Sequence, residues 1–206
     1  MTDGSSPDAE KLPSPREVIE FWFGVPGSPG WLEPRPEWFR KDAAYDAVIE
    51  ARFGGLLQRA LHGELEEDLQ DQHHPDTRLA RIIVCDQFSR NVWRGRPKAF
   101  ALDPIALATS RTLIDSPIER GMPAVQRIFI YMPLMHSEVL ADQQECVRLF
   151  EALASESSVA TSSRDFAVKH LEIVERFGRF PHRNEILGRE STEEEIAFLK
   201  QPGSSF

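Results

Sequence analysis

No stretch of this chain alternates apolar and polar residues over a strand's length, and no Asn-Gly or Asp-Gly pair separates two apolar runs. Without that period of two, a sheet has no face to bury. The apolar residues recur instead mostly at three- and four-residue steps, as in Trp38, Phe39, Tyr45, Ile49, Phe53, Leu56 and Leu57. That spacing gathers them on one side of a helix. Ser14-Pro15-Arg16-Glu17 reads as a helix start, with serine as cap, proline in the first turn and Glu17 closing a capping box. This helix carries Val18, Ile19, Phe21, Trp22 and Phe23 and stops at Gly24, and the four prolines between Val25 and Pro36 force a loop. Helical patterns follow over Glu37 to His62, Asp76 to Arg90 with Asp76 as cap, 103–114, 123–131, 134–153, 163–178 and 191–200. The last opens with a box from Ser191 to Glu194. The expected fold is all-α, a single domain of about eight helices over 14–206, arranged as a superhelix or orthogonal bundle. A polar, Pro/Ser-rich leader at 1–13 is expected to be disordered, and 61–76, with six acids and no Lys or Arg, to be a solvated linker.

The chain's 206 residues suffice for one well-buried core. A net charge of −9 argues against binding nucleic-acid phosphate or an anionic membrane surface. No run approaches the length of a membrane span, and the N-terminus lacks the basic start and apolar segment of a secretory signal. Cys85 and Cys146 form neither a CxxC motif nor a disulfide framework, so a cytoplasmic location is expected. Cys85 itself reads as a small buried hydrophobe.

Polar residues inside apolar helical arcs mark the candidate site. Asp86 and Arg90 lie seven residues after Leu79 and Ile83 and fall within their arc. Burying an unpaired charge costs several kcal/mol, so these two are expected to pair with each other or with a third group. In Leu134–Phe150, His136 and Gln143 sit within the arc of Val139, Cys146, Val147 and Phe150, whereas Glu138 points away and serves the helix's first turn. In Ser163–Gly178, His170 is surrounded by Phe166, Ala167, Ile173, Val174 and Phe177. One such histidine is ordinarily a hydrogen-bonded core residue, but three intruding helices suggest a shared polar interior. The densest chemistry lies at Phe177-Gly178-Arg179-Phe180-Pro181-His182-Arg183-Asn184. Gly178 ends a helix, Pro181 prevents its resumption, and Arg179, Arg183 and nearby Arg189 offer planar forks for carboxylate or phosphate. The competing reading ties those arginines to helix C-termini.

Six motifs, in order from about residue 16 to the C-terminus, resemble the bacterial "domain of unknown function 924" family. They are Glu20-Phe-Trp-Phe-Gly24, Trp38-Phe39 followed by Asp42 and Asp46, Asp86-Gln-Phe-Ser-Arg-Asn91, Tyr131-Met-Pro-Leu-Met-His-Ser-Glu138, Arg176-Phe-Gly-Arg-Phe-Pro-His-Arg-Asn184 and Leu187-Gly-Arg189. Ser89 stands where the family pattern has proline and Leu134 where it has phenylalanine; neither departure touches a charged group. The resemblance implies an all-helical, tetratricopeptide-like superhelix, although the spacing does not display the tetratricopeptide consensus. It implies no activity.

Three functional readings follow. In the first, the chain holds a small anionic ligand with Arg90, Arg179, Arg183 and Arg189, beside Asn91, Gln143, His182 and Asn184. Asp86 with His136 or His170 then supplies an acid–base pair. In the second, a helical scaffold binds a peptide or protein partner. In the third, Asp86, His136 and His170 bind a metal, with His182 or Glu138 in reserve, though without HExxH spacing. No GxSxG elbow, P-loop or GxGxxG appears, so no cofactor is expected and whether the protein is an enzyme stays open. Ser89 and Ser137 read as local hydrogen-bonders, and His73 and His74 as solvated. Trp22, Phe23, Trp38 and Phe39 read as core, any exposed member being a candidate homodimer contact. Segments 86–98 and 176–189 each carry a local charge of +3, against −15 for the rest, which favours a small anion over a polyanion.

Overall fold

The computed structural model describes residues 12–65 and 74–205. The leader expected at 1–13 falls almost wholly outside them, as do His73 and much of the acidic linker. Among the described residues the chain forms eight helical rods and no strand. These are α1 (Pro15–Phe23), α2 (Ala43–Leu61), α3, α4 (Asp103–Ile114), α5 (Ala124–Met135), α6 (Leu140–Glu156), α7 (Thr161–Phe177) and α8 (Glu193–Leu199). α3 is α-helical over Pro75–Ile82, π-helical over Ile83–Phe88 and α-helical again over Ser89–Val92.

Helix ends follow local hydrogen-bond chemistry, and several lie a few residues from where periodicity places them. The Ser14–Glu17 capping box forms as read. The long pattern from Glu37 is broken: Pro36–Trp38 makes a 3-10 turn, and Asp42 starts α2 by accepting the N–H groups of Ala44 and Tyr45 at 3.0 and 3.2 Å. His74, not Asp76, caps α3, its Nδ1 accepting the Asp76 N–H at 3.2 Å, with Pro75 in the first turn. The expected helix over 134–153 is divided, because α5 runs to Met135 and α6 begins only at Leu140. Val139, placed in the apolar arc by the undivided wheel, is 57% exposed. Phe166 is exposed as well. Gly178 ends α7 at φ +67, a conformation that a side chain with a Cβ adopts only under strain.

At α8 the box joins Thr192 to Glu195, one residue later than the sequence suggests. Thr192→Ala is therefore expected to cost about 1 kcal/mol in urea unfolding. An unchanged midpoint would show that Thr192 is not the cap.

Helices adjacent in sequence pack on one another, α3 on α4, α4 on α5, α5 on α6 and α6 on α7, while α1 and α5 also cover α3 and α2 lies against its π segment. The core is aromatic at the α1 end, where Trp22, Phe23, Phe53, Phe88 and Phe129 are fully buried and their rings meet edge to face or tilted. Trp38 joins them, but Phe39 is 65% exposed, lying parallel to Phe129 and edge to face with Trp38 at the margin. A second, smaller cluster of Ile173, Val174 and Phe180, with Phe177 and Phe198, fixes the 178–189 segment against α7 and α8. Both cysteines are buried and free, and burial pushes the Cys85 thiol up to about 12, so it stays protonated at neutral pH. No described helix is long and apolar enough to cross a membrane.

Candidate functional site

The site begins with the π segment of α3. In a regular helix the Cys85 carbonyl would accept the Ser89 N–H; here that N–H reaches Val84, and the Ser89 hydroxyl takes the Cys85 carbonyl at 2.7 Å. Arg90 Nη1 takes the Asp86 carbonyl at 2.8 Å, so two carbonyls of the widened turn have side-chain donors. Proline at position 89, as in the related pattern, would likewise withhold an N–H from Cys85.

Asp86 is fully buried in this widened turn. Its Oδ1 lies 2.7 Å from His136 Nδ1 and 3.1 Å from Arg90 Nη1. Arg90 also forks both oxygens of Asp103 on α4, at 2.9 and 3.0 Å. Burial pushes the Asp86 carboxyl up, but Arg90 and His136 more than offset it and hold the group well below the ordinary carboxylate range. His136 is the residue that ends α5, not a member of α6. Gln143 holds that turn by donating Nε2 to the carbonyls of Leu134, Met135 and Ser137 at 3.2, 2.6 and 2.6 Å. Asp142 accepts the Ser137 hydroxyl at 2.6 Å. Because Asp86 is ionised, His136 Nδ1 carries the proton and Nε2 is the acceptor, with no hydrogen-bond partner among the described residues. Burial, then Arg90, lowers the His136 pKa, so the ring is neutral at neutral pH.

A cleft of about 420 Å³ opens beside this dyad. Its polar lining includes Asp103, His136, Glu138 and Arg183, and its apolar lining includes Phe100, Pro104, Leu107, Pro133 and Leu187. The Arg183 guanidinium is clamped between rings, 4.7 Å from Phe100 and 4.6 Å from Phe180. Its nearest carboxylate oxygen is Asp103 Oδ2 at 3.6 Å, too far for a hydrogen bond, and its buried Nε has no partner. Burial, then Arg90, depresses this guanidinium to about 10. His170 donates Nδ1 to the Phe166 carbonyl at 2.7 Å, and its ring stands 6.4 Å from that of His136. Burial, then His136, pushes it down to about 3; burial, then Arg183, pushes His182 to about 4.

The other residues singled out in the sequence have partners elsewhere. Arg189 forks Glu138 at 2.7 and 2.9 Å, and Glu138 also accepts the Phe180 N–H at 2.7 Å. Glu138 therefore anchors the 178–189 segment instead of serving a helix's first turn. Arg179 forks Glu195 at 2.6 and 2.8 Å, and Asn184 donates to Ser191 at 3.0 Å, tying the same segment to α8. Asn91 donates to Asp46 at 2.7 Å, outside the cleft. Asp103 and Phe100 join the site without a sequence signal: an acid before proline at a helix start reads as an ordinary cap, and Phe100 as one more apolar residue. Among the described residues no three His, Cys, Asp or Glu side chains converge as a metal site, and Asp86 and His136 bond each other directly.

A family model described as "Bacterial protein of unknown function (DUF924)" matches residues 18–203. The chain is also similar to the solved structure of a protein of unknown function, ATU0120 from Agrobacterium tumefaciens, at 33% identity and a TM-score of 0.75, covering 90% of this chain and 96% of that one. No curated protein matches it. On the match across nearly its whole length, this chain belongs to the DUF924 family of bacterial proteins.

Proposed function

We propose that the cleft binds a small anion at Arg183 and that the Asp86–His136 pair performs acid–base chemistry on it. The observation that carries this reading is Arg183 itself. A buried cation is expected to be fully paired, yet this one lines an open cleft with its nearest carboxylate 3.6 Å away. Arg90, Arg179 and Arg189 all fork carboxylates of the chain. A bound anion supplies the hydrogen-bonding acceptor that Asp103, at 3.6 Å, does not. His136 Nε2 accepts a proton from the ligand or from water, and Asp86, 2.7 Å from Nδ1, stabilises the imidazolium that results.

Calorimetry with benzoate and inorganic phosphate tests this. Saturable binding of at least one probe is expected, weakened about tenfold or more in Arg183→Met. The anion also favours protonation of His136, so at pH 6 the binding heat should vary with the ionisation enthalpy of the buffer, and His136→Gln should remove that variation. Binding unaffected by Arg183→Met sinks the anion site. Buffer-independent heats sink the acid–base role.

A further inference from the structure

The identity of the anion can be narrowed, on the footing that the cleft binds one at Arg183. Among the described residues, Arg183 is the single Lys or Arg in the cleft lining, and Asp103 and Glu138 share that lining. Arg90 forks Asp103 and Arg189 forks Glu138, so Arg183 is left to balance one negative charge of a ligand. A phosphate monoester carries about 1.5 to 2 negative charges near neutral pH, whereas a carboxylate carries one. The clamp adds a shape requirement. The guanidinium carbon lies over both the Phe100 and the Phe180 ring, 4.7 and 4.6 Å from their centroids, and rings offer its N–H groups no carboxylate-like acceptor. An edge-on guanidinium matches a planar carboxylate through two parallel hydrogen bonds.

The rest of the wall excludes a polyhydroxylated body. Pro97, Phe100, Pro104, Leu107 and Leu187 offer no side-chain hydrogen-bond group, so hydroxyls placed there would lose water without compensation. Hydrocarbon gains instead from leaving water. We infer that the cleft takes an amphipathic monocarboxylate, with its head edge-on at Arg183 and its hydrocarbon along Pro104, Leu107 and Leu187.

The test is calorimetry of the full chain with acetate, butanoate, hexanoate and octanoate, alongside inorganic phosphate and hexyl phosphate. Affinity is expected to rise about fourfold per methylene from butanoate to hexanoate, with hexanoate binding more tightly than either phosphate. Arg183→Met should weaken hexanoate about tenfold or more. Leu107→Ala should flatten the dependence on chain length while leaving an Arg183-dependent interaction with butanoate. Arg183-dependent binding in which a phosphate exceeds hexanoate overturns the monocarboxylate but leaves the anion site standing. Carboxylates that bind without chain-length dependence overturn the hydrocarbon half. If no probe binds in an Arg183-dependent manner, the anion site and the monocarboxylate fall together.

Discussion

Replacing Asp86 by alanine is expected to lower the unfolding free energy by about 3–5 kcal/mol, the usual cost of removing one member of a buried charged set. For a chain of this size that is a fall in Tm of roughly 6–20 °C. The reason lies in what is left behind. Arg90 keeps Asp103 but loses its contact with Asp86 Oδ1 at 3.1 Å, and the His136 Nδ1–H loses an acceptor at 2.7 Å. Gln87, which also donates to Asp86, loses that acceptor and keeps only Met132 Sδ at 3.4 Å. Asp86→Asn preserves the volume and one acceptor oxygen but not the charge, so it should fall between wild type and alanine. Urea unfolding at pH 7 measures both. A cost below about 1 kcal/mol for the alanine variant would mean that Asp86 is not the centre of a coupled buried set.

Asp86 and Arg90 were legible because both sit on one continuous helical face, where a heptad step keeps its meaning. The π segment widens the turn between Leu79 and Arg90 without reversing that face. His136 was found by a wheel that does not exist, since Leu134 and Gln143 belong to different helices. It nonetheless stands at the site, because the α5 C-terminus is aimed at Asp86 and Gln143 reaches back to hold its carbonyls. Glu138 was placed by the same wheel and went astray, as its role depends on a segment some forty residues later in sequence, at Phe180 and Arg189. Periodicity reports what a residue does within its own helix. The clustered arginines show the limit of composition: three of the four candidates are neutralised by acids on other elements, and only the folded chain distinguishes Arg183 from them.

The buried histidines should make the protein acid-labile well above the range in which carboxylates titrate. His170 and His182 are pushed to about 3 and 4, below the ordinary value of 6.5, because burial disfavours their charged forms. The unfolded chain therefore takes up protons from about pH 6.5 downward while the folded chain does not. Stability is fully present above pH 6.5 and is lost as pH falls toward the folded values. The depressed carboxylates act in the same direction only below their ordinary values, 4.5 for Glu138 and Glu195 and 3.8 for Asp86, so the interval above pH 4.5 isolates the histidines. Near pH 5.5 two neutral buried histidines give a slope of about 2.4 kcal/mol per pH unit, and His136, also lowered, steepens it. Against a total of about 5–15 kcal/mol, such a slope brings acid unfolding on at mildly acidic pH. Urea unfolding at pH 7.0, 6.0, 5.5 and 5.0 reads the slope directly. His170→Gln, which removes one titrating group, should reduce it by about 1.2 kcal/mol per pH unit. A stability that stays level from pH 7 to 5 would mean that these histidines charge freely in the folded state, and a slope unchanged by His170→Gln would assign the protons to other groups.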